Sequence, residues 1–219
     1  MLSLGIGMTT LANLFLIGLV PGLVVWSVLY ISDYYSTLAY AKLYRSGANE
    51  KIVFEGSIEI TPQFQPDIDS LRKVSPRFLA ALFRGGVGLA AIWWLSRWSQ
   101  QPGLYEFALG AMISLQLAVH MRHLRNLYLF RAIARNEGVQ GRIEYSRQLM
   151  LRMSSVELLG FGGLFSLLFV FTRSWFVLGG AYACLLTAWK HRRLAQRHAS
   201  SALPNLSPSI ESAPDQLRS

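Results

Sequence analysis

Apolar residues gather in five runs, at 11–31, 78–98, 104–121, 153–172 and 174–190, and polar residues fill the gaps between them. Each run approaches the ~20 residues a helix needs to cross a hydrocarbon core of ~30 Å. Runs this continuous leave no polar face for water, so they predict membrane spans rather than the amphipathic helices of a soluble domain. The pattern predicts an all-α transmembrane fold: a five-span helical bundle over residues 1–198, with loops 32–77 and 122–152 as part of it. Residues 199–219 are rich in Ser, Pro and Ala and are expected to be a disordered tail. Pro21-Gly22 predicts a kink in the first span, because proline removes a helical hydrogen bond and crowds the preceding turn. No Lys or Arg precedes that run and no clear small-x-small exit follows it, so it reads as a retained span rather than a cleaved signal.

Two tight turns, at 99–103 and 172–174, join spans 2 to 3 and 4 to 5. Trp93, Trp94, Trp98 and Tyr105 crowd the first turn, and Trp175 and Phe176 the second. Trp26, Tyr30 and Trp189 mark the opposite end. Aromatic residues at both ends are expected as interfacial anchors.

The longer loops carry a different period. From Ile52 to Phe64, residues Ile52, Phe54, Ile58, Ile60 and Phe64 alternate with polar neighbours, Val53 being the exception. Period two marks a half-buried strand, which Pro62 should end. Val139, Ile143 and Tyr145 alternate in the second loop. The stretch Glu55-Gly56-Ser57-Ile58-Glu59-Ile60-Thr61 also matches Gln140-Gly141-Arg142-Ile143-Glu144-Tyr145-Ser146, and Leu43-Tyr44-Arg45 matches Leu129-Phe130-Arg131 with a one-residue offset. The match points to a parallel internal repeat about an axis along the membrane normal. On that basis the two short β-like segments are expected to pair antiparallel, with Ile58 near Ile143.

Charge then orients the bundle. Of the 21 Lys and Arg, Arg97 and Arg173 fall at one end, Arg84 falls inside a span, and all others gather at the opposite end. The Lys/Arg excess faces the cytoplasm, which predicts an outside N-terminus and a cytoplasmic C-terminus in an inner (plasma or equivalent energy-transducing) membrane. The formal net charge of +9 sits almost wholly on that side. It also suits anionic phospholipid, at ~1 kcal/mol per basic residue near the surface. Nucleic acid is not expected, since the basic residues flank spans and no nucleic-acid-binding motif is present. The single cysteine, Cys184, can form no disulfide or CxxC pair within one chain.

Candidate chemistry is sparse. Arg122, Arg125, Arg131 and Arg135 follow span 3 and are candidates to bind an anionic phospholipid or an acidic partner segment, because guanidinium groups grip phosphate through paired hydrogen bonds. Arg84 either snorkels to the interface or pairs with Glu157, which lies at similar depth. Glu106 reads as a hydrated interfacial residue. Gly85, Gly86 and Gly88, and Gly160, Gly162 and Gly163, read as close helix contacts. His120 and His123 share a helical face, but arginines rather than carboxylates or cysteines accompany them, so neither a metal site nor a cofactor is expected. No Ser/His/Asp arrangement, HExxH or Walker loop is visible. The expected role is non-catalytic: an accessory, scaffold or assembly subunit with a protein partner in a larger membrane complex. The alternative is a lipid-handling enzyme or transporter whose cytoplasmic arginines bind phosphate head groups.

Overall fold

The structure, a computed structural model, describes residues 18–135 and 140–202. Its main helices are α1 (Leu19–Leu43), α2 (Gln65–Asp69), α3 (Pro76–Trp98), α4 (Pro102–Ala134), α5 (Arg147–Thr172) and α6 (Trp175–Ala202). Two three-residue strands, β1 (Ile52–Phe54) and β2 (Ile143–Tyr145), complete it. Among the described residues α3, α4 and α5 are long and apolar enough to cross a membrane. They bear large apolar side chains on their outer faces, such as Phe83, Val156 and Phe171. The run 11–31 is described only from residue 18 on, and its helix α1 begins at Leu19. In α6 the apolar stretch gives way to Lys190, His191, Arg192 and Arg193 before reaching span length. Residues 203–219, where a disordered tail is expected, lie outside the described residues. Pro21 stands in the first described turn of α1, where a missing N–H leaves no helical bond unmade, so the expected kink falls at the limit of description.

Local chemistry sets the helix starts. Ser75 caps α3 by accepting the Phe78 N–H at 3.1 Å, with Pro76 following, and Ser146 caps α5 by accepting the Leu149 N–H at 3.2 Å. Gln100 (φ 56°) and Arg173 (φ 52°) turn left-handed to reverse the chain in the two short connections.

α4 is the central helix, packed against α1, α3 and α6. Trp26, Leu89, Tyr105, Leu109 and Ile113 form one core between α1, α3 and α4. Trp26 and Tyr105 are therefore core residues and not interfacial anchors, whereas Trp94, Trp98, Trp175 and Trp189 are exposed. The glycines divide in the same way. A Cβ on Gly85 would lie 2.4 Å from the Trp26 ring, and one on Gly162 would lie 2.6 Å from Leu185, but Gly88, Gly160 and Gly163 face open space. The closest approach was not expected: a Cβ on Gly110 would lie 1.9 Å from the Phe176 carbonyl, and one on Gly179 would lie 1.9 Å from the Phe107 carbonyl. At these two positions α4 and α6 meet backbone to backbone.

The loop segments do pair, but parallel. Ile52 faces Ile143, Val53 faces Glu144 and Phe54 faces Tyr145. The antiparallel expectation with Ile58 near Ile143 is corrected on both counts. Gly56 turns left-handed at φ 79° and ends β1 after Phe54, so Ile58 never joins a ladder. Gly141, its match in the other loop, has the same φ of 79° but precedes β2 instead of following it. The matched residues thus share a turn and not a place in the fold.

Candidate functional site

Beyond Gly56 the alternating residues still face inward, but from an irregular loop. Glu59 organises it: its Oε1 accepts the Thr61 N–H at 2.6 Å, and its own carbonyl accepts from Gln65 Nε2 at 3.0 Å. Arg147, at the start of α5, clamps the same loop by donating to the carbonyls of Ser57 (3.2 Å), Glu59 (2.9 Å) and Ile60. Its backbone N–H donates to Glu55 Oε2 at 2.9 Å. Burial is the main influence lowering the Arg147 guanidinium, opposed by Glu59, Asp69 and Glu55. Burial likewise raises the Glu59 carboxyl, favouring its neutral form.

This loop roofs a cavity of about 460 Å³ between α1, α4, α5 and α6, at the basic end where the apolar runs finish. The volume falls within the range of small-molecule sites, ~300–1,000 Å³. Much of the wall is apolar, including Ile58, Phe64, Leu115, Phe130, Met150 and Leu158. Set into it are polar groups from every surrounding element.

α1 supplies Asp33, whose carboxylate accepts from His123 Nε2 of α4. Thr37 lies 3.5 Å from the same nitrogen. His123 is buried, its side chain 7% exposed. Bonding to a carboxylate keeps a proton on Nε2, so Nδ1 presents a lone pair in the neutral ring and a proton in the charged ring. One turn away, His120 bonds the Gln116 carbonyl through Nδ1 at 2.7 Å and approaches Ser32 Oγ at 2.6 Å. The two histidines thus join α1 to α4 and do not face the interface. Where α5 meets α6, Ser154 Oγ lies 2.7 Å from His191 Nδ1. Burial, then the charges of Arg122, Arg147 and Lys190, push His191 down to about 4. The ring is neutral near pH 7 and its Nδ1 shares a hydrogen bond with the serine hydroxyl.

The predicted arginines separate. Arg122 faces inward, its Nε donating to Glu157 Oε2 at 2.7 Å, and Arg125 Nη1 reaches Glu157 Oε1 at 3.5 Å from the rim. Arg131 and Arg135 are exposed on the last turns of α4, outside the cavity wall. The Arg84–Glu157 pairing is corrected: Arg122 and Arg125 of α4 occupy the Glu157 carboxylate, while Arg84 is exposed on α3.

Three buried side-chain atoms have no hydrogen-bond partner among the described residues: Gln116 Oε1, Arg122 Nη2 and His123 Nδ1. All three residues line the cavity. Leaving a buried polar atom unpaired costs ~1–3 kcal/mol, and more for a charged group, so their convergence is not neutral for the fold. Sequence reading missed Asp33, Thr37, Glu59 and Gln116 as site residues. The signal was periodic: Gln116, Val119, His123, Asn126 and Phe130 follow one helical face, as do Tyr30, Asp33, Thr37 and Tyr40. Comparison with protein-family models, curated proteins and solved structures finds no match to this chain.

Proposed function

We propose that this chain is a membrane protein that binds a lipid-like amphiphile at the basic end of its bundle. The polar head would meet Gln116, Arg122 and His123, and the apolar part would lie along the surrounding Leu, Ile, Phe and Met side chains. The observation that carries this reading is that the three residues with unpartnered buried polar atoms all line one largely apolar cavity. Arg122 Nη2 calls for an acceptor and Gln116 Oε1 for a donor, so a head bearing both an oxygen acceptor and a hydroxyl suits them. The reading gives weight to the lipid-handling alternative over the scaffold, since the scaffold reading rested partly on an absence of catalytic groups. The basic end would face the cytoplasm of an inner membrane, where anionic lipid is attracted to it.

The test is extraction of the full chain in mild detergent, followed by mass spectrometry of the organic extract. A retained amphiphile is expected with wild type and several-fold less with Gln116→Leu. Equal recovery from both proteins would count against the cavity as the binding site.

A further inference from the structure

The charge arrangement within this cavity names the head group. We propose that Glu157 is a built-in stand-in for the anionic head of the ligand, and that the site recognises a phosphate-bearing amphiphile. The proposal rests on the amphiphile reading of the cavity and specifies its chemistry.

The geometry is that of one anion held between two guanidinium groups. Glu157 gives Oε2 to Arg122 and Oε1 to Arg125. The side chain of Arg125 is 52% exposed and that of Arg122 is 11% exposed, so the pair leads from rim to interior with Glu157 between them. A carboxylate satisfies this cradle incompletely, because Arg122 Nη2 remains buried without a partner. A guanidinium offers five N–H donors in a fixed plane, and a tetrahedral oxyanion has more acceptor oxygens and more directions than a planar carboxylate. Phosphate could bond the spare Nη2 group and still face Arg125, provided Glu157 swings away.

The other acids are less able to oppose such a ligand. Asp33 is committed to His123, and Glu59 is occupied by the Thr61 N–H while burial favours its neutral form. Glu157 is therefore the carboxylate that competes directly for both arginines. This arrangement keeps the arginines folded inward when no phosphate is bound, and it sets affinity by exchange of one anion for another. Exchange of this kind favours selectivity over tight binding, since part of the interaction energy is spent displacing Glu157.

The experiment compares two probes with the same acyl chain, oleoyl lysophosphatidate and monooleoylglycerol, on the full-length protein in detergent, with inorganic phosphate as competitor. Wild type should prefer the phosphate-bearing probe. Glu157→Gln should raise that preference about tenfold, the scale of one charge-assisted hydrogen bond. Arg122→Gln should abolish it while monooleoylglycerol still binds. If both probes bind and Glu157→Gln leaves their ratio at the wild-type value, the stand-in role is overturned and the amphiphile reading survives. If neither probe binds to any variant, the amphiphile reading itself fails. Direct binding of inorganic phosphate, read by calorimetry, without binding of either lipid would assign the cradle to a soluble phosphate ester and overturn the lipid source. Should Glu157→Gln not fold, Arg125→Gln at the exposed rim serves instead, with a loss of phosphate preference expected and an unchanged ratio counting against the cradle.

Discussion

Arg147 shows how one side chain can hold a site it does not itself form. Its guanidinium serves three backbone carbonyls of one loop, those of Ser57, Glu59 and Ile60. A loop without regular structure must satisfy its backbone polar groups individually, and here one residue satisfies three of them. Hydrogen bonds from a charged donor contribute ~1.5–3 kcal/mol each when well buried, but they share one side chain and are partly wet. Arg147→Ala is therefore expected to cost about 2 kcal/mol and to increase proteolytic cleavage between Glu55 and Phe64. Arg147→Lys should rescue little, because a single ammonium cannot reproduce the planar fork. Limited proteolysis beside a thermal melt provides the measurement, and cleavage at the wild-type rate in the alanine variant would refute the clamp. Gln116→Leu has the opposite signature: it removes an unpaired buried acceptor, so it should melt no lower than wild type even as it loses the amphiphile.

At the scale of elements, the contact between α4 and α6 governs the bundle. Gly110 and Gly179 each leave space that a carbonyl of the other helix occupies. Without a hydrophobic drive inside lipid, such close backbone contact and its dispersion energy supply much of the association. Gly110→Leu cannot be absorbed by rotating a flexible side chain, because the obstructing atoms are backbone. It should separate α6 from α4 and lower the melting temperature by about 10 °C, roughly a loss of 3–5 kcal/mol for a chain of this size. Gly160→Leu, placed in open space, should leave the melt unchanged and serves as the control. These elements also show what the sequence could and could not reveal. Helix positions were legible because apolar runs with Ser caps and Pro starts act locally. The glycine contacts were not, because any glycine in a span reads alike until the facing helix is known. The strand from Ile52 was legible in its period, yet its length was decided by Gly56 adopting a positive φ, and its parallel partner by how α4 and α5 return the chain. The Asp33–His123 pair joins residues 90 apart in sequence, so neither could be paired from spacing alone. The helical stripes on α1 and α4 were present in the sequence, but the even spread of apolar residues around both helices obscured them.

Across the whole molecule, polarity separates along the bundle axis. The end holding Gln100 and Arg173 is made of two tight turns and exposed tryptophans, whereas the other end holds the strands, the clamped loop and the cavity. Arg193 stacks over the exposed Trp189 ring at 3.7 Å on that second side, adding a cation at the level where head groups would lie. An amphiphile would therefore enter from the basic side with its phosphate already among arginines, which requires that side to face the cytoplasm for the charge rule to hold. Cysteine labelling decides this with little background, since Cys184, the chain's single cysteine, is fully buried. Gln100→Cys should react with an impermeant maleimide in intact cells. Glu144→Cys, on the exposed edge of β2, should react only after the membrane is opened. The reverse pattern would place the cavity on the outside, and a ligand delivered from the cytoplasmic leaflet would then have no route to Arg122.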